Sequence, residues 1–355
     1  MRIRVLGAGF YGAHISLSLL AAGHYVEVHD IADHVLAGAS GNCPARLHLG
    51  APHYPRSGAT QAACAAHQSE FLEKYGFLTR HVPTNIYAVA EQDSLVDFAA
   101  YRKAMAGVQH IVIHDPAEYG LEHVEGAVLT GERHVVTDMA AAYFTRELGD
   151  HLKLSGSGSP HGWDLTIDCT FAANDQTGID RYEPCLTVML EGPTDRATTI
   201  VDGPFSGIYP WNESLNLSTL TSAKLTPFSK TCRTYGEARA LLNGLTVQDI
   251  AARAEEMMDQ MAYFWPAVRD LYRIVDFKTA IRAMPRSGAD SRLVDVHWAD
   301  ETTITVRAGK IDAIFDAERA VQEMLWAVDP DCKPTGGVLS STVDIDGYLD
   351  GLPRN

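Results

Sequence analysis

Apolar and polar positions change their period twice at the start of the chain. Residues 2–6 ("RIRVL") have the pattern of a short buried strand, and residues 11–22 place their large apolar side chains on one face of a helix that ends at Gly23. Residues 25–29 have a second strand pattern, which Asp30 closes. The pattern therefore predicts a strand, a glycine turn, a helix and a second strand.

Farther along, helical patterns alternate with stretches of short strands. Helices are predicted near 59–75, 138–152, 247–271 and 312–327. The segment "WDLTIDCTF" has the pattern of a buried strand. Strand and turn patterns dominate two stretches, at about 80–136 and 182–226. Segments of α/β type at both ends and in the middle are thus separated by two β-rich insertions.

This alternation predicts an α/β fold in which a nucleotide domain is built from non-contiguous pieces and a β-sheet-rich domain is inserted twice. The predicted boundaries are 1–80, 137–181 and 283–330 for the nucleotide domain, 81–136 and 182–282 for the inserted domain, and 331–355 for a C-terminal tail. The tail is rich in Gly, Pro and Asp, which favours extended chain. A length of 355 residues is sufficient for two domains.

The sequence "GAGFYG" supplies Gly7, Gly9 and Gly12 in the G-x-G-x-x-G spacing of a dinucleotide-binding turn. Gly7 permits a tight turn off the strand, Gly9 lets a pyrophosphate approach the backbone, and Gly12 lets the helix pack close to the strand. The helix N-terminus offers free N–H groups to the phosphates. Asp30 follows at a distance that suits a ribose hydroxyl. This context predicts a bound dinucleotide, and a turn with only a packing role is the alternative.

The charge balance excludes several classes of partner. The net charge is -16, which disfavours nucleic acid and anionic membrane surfaces, because both are bound by clustered Lys and Arg. No apolar stretch reaches the ~20 residues that a membrane helix needs. The six cysteines form no CxxC pair and no Cys/His cluster with zinc spacing. We therefore expect a cytoplasmic protein with a small-molecule substrate and without a metal site.

The spacing of the glycine turn does not decide between NAD and FAD. The loop after Asp30 contains the small residues Gly38, Ala39, Ser40 and Gly41. Small residues there let a second backbone segment reach the pyrophosphate. The stretch "RLHLGAPHYPRS" that follows crowds His, Arg and Pro residues into one loop.

Together these stretches, "GAGFYGAHISLSLLAAGHYVEVHD…GASGN…RLHLGAPHYPRS", resemble the FAD-dependent oxidoreductases of the D-amino-acid oxidase (DAO) type. The likeness is greatest to a branch that carries "ASGN…RLH.G.HYPRS", and "DGPFSGIYP" and "RAGKIDAIFDAERAV" extend it over about residues 1–325. The resemblance implies FAD as the cofactor, a Rossmann-like FAD-binding domain of the GR2/DAO type and an inserted β-sheet-rich substrate domain. The chain departs from the wider group at Cys169-Thr170-Phe171, where Phe171 takes the place of a glycine.

The resemblance also implies a set of cofactor-binding positions. The ADP half of FAD is held by the glycine turn and the acid after the second strand, that is by Gly7, Gly9, Phe10, Tyr11, Gly12 and Asp30. Ser40 and Arg46 are placed to contact phosphate or flavin, and 46–54 is placed beside the isoalloxazine ring. The backbone of Gly309, Lys310 and Ile311 precedes a helix whose N-terminus would face a flavin carbonyl. An ordinary strand–helix turn is the alternative for that segment.

Two histidines of the same loop, His48 and His53, are candidate pocket residues. Each histidine could form a hydrogen bond to the flavin ring, form a covalent link to flavin, or act as a general acid or base. The alternative without a function is a loop histidine that is hydrogen-bonded to the backbone. Cys43 is a less favoured covalent anchor. We expect the flavin to be bound non-covalently.

Substrate-side candidates come from the inserted domain. Tyr209 in "GIYPW" is placed to project from the sheet toward the flavin, although core packing is the commoner role of such a residue. Arg282 follows a strand-like run, and Arg286 competes with it as a partner for a substrate carboxylate. A buried guanidinium at 282 would need an anion, which an acidic substrate could supply.

The resulting hypothesis is an FAD-dependent oxidoreductase, an oxidase or dehydrogenase in which flavin accepts a hydride from an amine, amino acid or alcohol centre. Oxygen or another acceptor would reoxidise it. The alternatives are a flavin-dependent monooxygenase of biosynthetic metabolism, a non-redox flavin mutase, and an FAD-binding protein without turnover. The substrate and the oligomeric state stay open.

Overall fold

The structure is a computed structural model that describes residues 1–49, 58–201, 203–286 and 294–328. For 58–63 and 65 only the backbone is described. His53 and the predicted tail 331–355 lie outside the described residues.

The strands, numbered in chain order, are β1 Arg2–Leu6, β2 Tyr25–His29, β3 Arg46–Leu47, β4 Thr79–His81, β5 Thr84–Ala90, β6 His110–Ile113, β7 Val124–Thr130, β8 Arg133–Val135, β9 Leu152–Lys153, β10 Leu165–Asp168, β11 Ile179–Glu191, β12 Arg196–Val201, β13 Ser206–Asn212, β14 Leu217–Ser222, β15 Arg273–Pro285, β16 Asp295–Asp300 and β17 Thr303–Arg307. The α-helices are α1 Phe10–Ala21, α2 Ala39–Asn42, α3 Gly58–Tyr75, α4 Phe98–Ala104, α5 Thr137–Leu148, α6 Tyr235–Gly244, α7 Val247–Phe264, α8 Val268–Leu271 and α9 Ile314–Val328.

A six-stranded sheet with the order β16-β17-β10-β1-β2-β9 carries the glycine turn. Its central strands pair in parallel, β1 with both β2 and β10, and β10 with β17, whereas the edge strand β16 is antiparallel. Parallel strands need crossover connections and covering helices. Helices α1, α5 and α9 supply apolar faces that form one core with this sheet.

A second sheet has eight strands in the order β15-β11-β14-β13-β12-β5-β7-β6. Its strands come from both β-rich stretches, because β5 of the first pairs in parallel with β12 of the second. One face of this sheet packs against α7, whose Met257, Met258 and Met261 are buried among Ile, Leu and Val side chains. The prediction of a mixed α/β fold with a Rossmann-like sheet and a separate sheet-rich part is confirmed.

A small sheet with the order β3-β8-β4 contains Arg46 in β3, and the loop with His48 follows that strand. β8 pairs with β3 on one side and with β4 on the other, and it follows β7 of the eight-stranded sheet after a two-residue turn. The small sheet therefore ties the segment from Arg46 to Leu49, here called the Arg46 loop, to the chain that forms the second sheet.

Two local predictions were wrong. Residues 247–271 do not form one helix, because α7 ends at Phe264 and Trp265 has φ −138° ahead of Pro266. A proline disfavours helical backbone at the preceding residue, so the chain breaks there before α8. The small-residue loop after Asp30 contains the single-turn helix α2, which is too short to give a periodic pattern.

The crossing of α1 over β1 is too close for any side chain at Gly12. A Cβ at Gly12 would lie 1.9 Å from the carbonyl oxygen of Gly7 and 3.4 Å from the Cβ of Cys169. The helix can approach the end of β1 only because Gly12 has no Cβ.

We predict that Gly12→Ala lowers the free energy of unfolding by about 1–3 kcal/mol, because the added methyl group must push α1 away from β1. Gly76→Ala is the matched control, since a Cβ there meets nothing within 4 Å. Urea unfolding of both variants, with FAD bound and after its removal, measures the difference. Equal stability of the two variants would contradict the prediction.

Candidate functional site

The glycine turn leaves β1 at the carboxyl edge of the six-stranded sheet. Gly7 has φ +96°, a conformation that favours glycine, and its N–H donates to the carbonyl of His29 over 2.8 Å. Asp30 accepts the N–H of Ala8 at 2.7 Å and that of Ala32 at 2.8 Å. The carboxylate thus stands against the turn, at the position where the acid of a dinucleotide fold meets a ribose.

The N-terminus of α1 fits a phosphate group. Gly9 is its N-cap and has no side chain with which to cap it, and its first turn carries no acid. The N–H of Phe10 donates to the hydroxyl of Ser40 on α2 at 3.2 Å, and a Cβ at Gly9 would lie 3.1 Å from the same oxygen. A helix N-terminus with an open backbone and a facing hydroxyl suits a pyrophosphate, and the turn as a whole fits a dinucleotide.

The side chains of Phe10 and Tyr11 do not share one role. Phe10 is buried and meets Phe144 edge to face at 5.7 Å, so it belongs to the core. The Tyr11 hydroxyl donates to the carbonyl of Lys310, and burial raises the pKa of Tyr11 well above its usual value. Tyr11 therefore anchors the segment that leads into α9.

That segment has the predicted position before a helix. Ile311–Ala313 form a 3-10 turn, and α9 begins at Ile314. Gly309 and Lys310 precede the turn, which also packs against β3 and α3. The role of this backbone toward the flavin stays a prediction.

The end of β10 contacts the glycine turn despite the departure from Ala-Thr-Gly. A Cβ at Gly7 would lie 2.8 Å from the carbonyl oxygen of Cys169, so the two backbones touch. Phe171 and Ala172 both have positive φ, +57° and +63°. Phe171 thus adopts the left-handed conformation that a glycine would adopt without strain. The hydroxyl of Tyr182 holds this bend by donating to the carbonyl of Ala172 at 2.8 Å.

Arg46, the first residue of β3, joins this strand to the eight-stranded sheet. Its guanidinium carbon lies 4.3 Å from the ring centre of Tyr209, and Nη1 donates to the hydroxyl of Thr199 at 3.0 Å. Tyr209 is fully buried, and burial raises the pKa of its hydroxyl. The sequence placed Arg46 near phosphate or flavin and Tyr209 on the inserted sheet, and the structure brings the two side chains into contact. Their roles toward the flavin stay predictions.

His48 belongs to a buried acid–base cluster. Its Nδ1 lies 3.4 Å from Oε2 of Glu132, a carboxylate with no exposed surface. Glu132 also accepts the N–H of Leu49 at 2.6 Å and the hydroxyl of Tyr87. Burial acts to raise the pKa of Glu132, but the charge of His48 and the hydrogen bonds outweigh it and lower the pKa. Glu132 is therefore an anion between the two sheets.

Arg282 is already paired within the chain. Its Nε donates to Oε2 of Glu183 at 3.0 Å, and Arg181 donates to the other oxygen of the same carboxylate at 2.9 Å. The anion that this guanidinium needs is Glu183, so the argument for an acidic substrate loses its premise. Arg286 is exposed and lies just beyond the end of β15. A role of Arg282 toward substrate stays a prediction.

Cys43 lies directly after α2, which packs against β15. Burial raises the pKa of its thiol to about 11, with an opposing effect from Arg282. A protonated thiol is a poor nucleophile.

Sequence reasoning missed Glu132 and Tyr87. Glu132 occupies the two-residue turn between β7 and β8, where a carboxylate ordinarily faces water. Tyr87 lies in a strand whose residues are nearly all buried, and nothing in the pattern of that strand indicates that its hydroxyl meets an acid. No sequence pattern pointed to Glu132, because the pairing of the following strand β8 with β3 is visible only in the structure.

Comparison with known proteins gives two kinds of relationship. No family model matches the chain. It is 32% identical to the FAD-dependent monooxygenase FPY4 of Fusarium mangiferae over 337 residues, which cover 90% of each chain. It is 25% identical to the FAD-dependent monooxygenase kojA of Aspergillus flavus, over 92% of this chain and 86% of that one.

Solved structures of low sequence identity share the fold. An iminodiacetate oxidase from Chelativorans sp. BNC1 matches with a TM-score of 0.64 at 12% identity, over 92% of this chain and 95% of that one. A glycine oxidase from Geobacillus kaustophilus matches with a TM-score of 0.62 at 16% identity, over 93% and 95% of the two chains.

The fold and the glycine turn define an FAD-dependent oxidoreductase with the architecture of the DAO-like enzymes, and FAD is its cofactor. The chain belongs to the family of the FAD-dependent monooxygenase FPY4. Its substrate is a small molecule.

Two further observations concern metal binding and membrane helices. Among the described residues, no group of three or more His, Cys, Asp or Glu side chains could hold a metal ion. No helix in the described part of the chain is long and apolar enough to cross a membrane.

We predict that Glu132→Gln lowers the free energy of unfolding by about 1.5–3 kcal/mol at pH 7, the range for hydrogen bonds to a charged group. The lowered pKa of Glu132 gives a stabilisation that is complete above the unfolded value of ~4.3 and is lost as the pH falls through the folded value. The difference between wild type and variant should therefore shrink on acidification.

Urea unfolding between pH 7 and pH 3.5 measures this difference. Glu301→Gln, at an exposed turn, is the control and should change stability little at any pH. A difference between wild type and Glu132→Gln that stays constant over this range would contradict the assignment of a buried anion.

Proposed function

We propose that this protein is an FAD-dependent monooxygenase of a small organic molecule, which consumes dioxygen and an external electron donor. The observation that supports this proposal is the 32% identity to an FAD-dependent monooxygenase over 90% of both chains. The segment "ASGN…RLHLGAPHYPRS" resembles the motif of one branch of the DAO-type oxidoreductases. In this proposal, neither nucleic acid nor a membrane is a partner of the protein.

The chain's own residues would hold the cofactor at the carboxyl edge of the six-stranded sheet. Asp30 would take the ribose, while the N–H groups at the start of α1 and the Ser40 hydroxyl would take the pyrophosphate. The backbone of Gly309–Ile311, held by Tyr11, would face the flavin ring. FAD, when bound, supplies the two-electron redox chemistry and the reaction with dioxygen that no amino-acid side chain provides.

Residues 81–136 and 182–282 would form the part of the molecule that covers the flavin. Side chains alternate across a strand. On β5, Ile86 and Ala88 face the α7 core, so Tyr87 points to the other face. Thr199 and Tyr209 share that other face through their contacts with Arg46. We assign substrate binding to this face.

His48 is the proposed acid–base or hydrogen-bonding group of the pocket. Glu132 fixes the imidazole from Nδ1, and the same carboxylate holds Leu49 N–H and Tyr87. A carboxylate bound at one ring nitrogen fixes the orientation of the imidazole. The buried cluster would also exclude water from this side of the pocket.

The reaction class is tested with oxygen isotope. The holoprotein is incubated under ¹⁸O₂ with NADH or NADPH and a small-molecule extract of its source organism, and products are compared by mass with a reaction under ¹⁶O₂. We expect a product that gains one labelled oxygen atom. The FAD-free variant Gly9→Val is the control, because its side chain would meet Ser40. Peroxide formation with unlabelled product would assign an oxidase instead.

We predict that acid precipitation of the yellow protein releases all of its flavin into the supernatant as FAD. Neither His48, which bonds Glu132, nor the protonated thiol of Cys43 is set up for a covalent link. Absorption and chromatography of the supernatant measure the release. Flavin fluorescence that stays with the denatured polypeptide on a gel would refute the prediction.

A further inference from the structure

A lysine and a cysteine meet beside the proposed flavin site. Cys64 lies on α3 with 1% of its surface exposed, and the amine of Lys310 lies 2.5 Å from its sulfur. Lys310 stands immediately before the 3-10 turn that packs against α3. The nitrogen and the sulfur come from elements 246 residues apart in sequence.

The separation of these two atoms fits neither a hydrogen bond nor a direct bond. Hydrogen bonds from N–H to oxygen are about 2.7–3.2 Å long, and sulfur is larger than oxygen. A direct N–S bond must be shorter than the ~2.05 Å of an S–S bond, because nitrogen is smaller than sulfur. A distance of 2.5 Å between nitrogen and sulfur matches two single bonds that meet at one bridging atom.

We propose that Cys64 and Lys310 form a reversible covalent N–O–S cross-link. In the net reaction, the neutral amine, the thiol and one molecule of dioxygen give the bridge and one molecule of water. The thiol proton and one amine proton leave as that water. Sulfur and nitrogen each lose two electrons, and dioxygen takes up all four. Oxidation of a cysteine thiol to a species with a sulfur–oxygen bond is established chemistry, and the amine of Lys310 lies where its nitrogen could bond to that oxygen.

The surroundings give the cross-link a consequence. The carboxyl of Asp312 is buried, its Oδ2 has no hydrogen-bond partner among the described residues, and Lys310 is one of the cations acting on it. A bridged Lys310 no longer carries an ammonium charge. The cross-link would also fasten α3 to the Gly309–Ile311 segment, which Tyr11 holds from the other side. The cross-link would thus be a redox-sensitive covalent connection between α3 and the backbone segment that the flavin would face.

Mass spectrometry of the holoprotein, prepared without reductant and exposed to dioxygen, tests this. Trypsin should yield a linked pair, residues 57–74 joined to 308–319, because a bridged lysine is not cleaved. One added oxygen and two lost hydrogens make the pair about 14 Da heavier than its two peptides combined. Dithiothreitol should separate it.

Cys64→Ser and Lys310→Arg should each abolish the linked pair, whereas Cys232→Ser, which removes a different buried thiol, should leave it unchanged. The same linked pair in Lys310→Arg would overturn the assignment. So would a pair about 2 Da lighter than its peptides, which marks a direct S–N bond. Separate peptides with a free Cys64 thiol, even after treatment with hydrogen peroxide, would reduce the contact to a hydrogen bond and reject the proposal.

Discussion

The contact between Gly12 and the carbonyl of Gly7 sets the distance between the first helix and the first strand. Because no side chain separates them, the N-terminus of α1 stands directly above the end of β1. The same spot is approached by the carbonyl of Cys169 from β10 and by Ser40 from α2. Three separate segments therefore converge on one opening of backbone N–H groups. Such an opening suits a negatively charged pyrophosphate, without any basic side chain in the turn.

A second constraint connects this site to the rest of the molecule. Glu132 is a buried anion that receives hydrogen bonds from the Arg46 loop and from the eight-stranded sheet. Removing one partner of a buried charge leaves the other uncompensated, which is costly. The loop and the sheet are therefore held together by polar contacts as well as by the stacking of Arg46 on Tyr209. The position of His48 depends on the same carboxylate.

The sequence predicted those parts of the structure that local patterns determine. The strand, turn, helix and strand at the N-terminus matched within a residue, because a short apolar period and three glycines specify them. The sequence predicted that the two β-rich stretches form one sheet, but it did not predict that β5 pairs with β12. Strands more than a hundred residues apart carry no local signal of their pairing. Ion pairs were the hardest features to predict from the sequence. Glu183 neutralises Arg282 across neighbouring strands, and the register of β11 with β15 decides that contact.

The pairing of Arg282 changes what can be said about the substrate. A guanidinium that already has two acceptor contacts to one carboxylate offers little binding energy to a second anion. Arg46 differs, because its described contacts are a neutral hydroxyl and an aromatic face. On the proposed substrate face, the described groups are therefore hydroxyls, rings and the cation of Arg46, rather than a dedicated carboxylate clamp in β15.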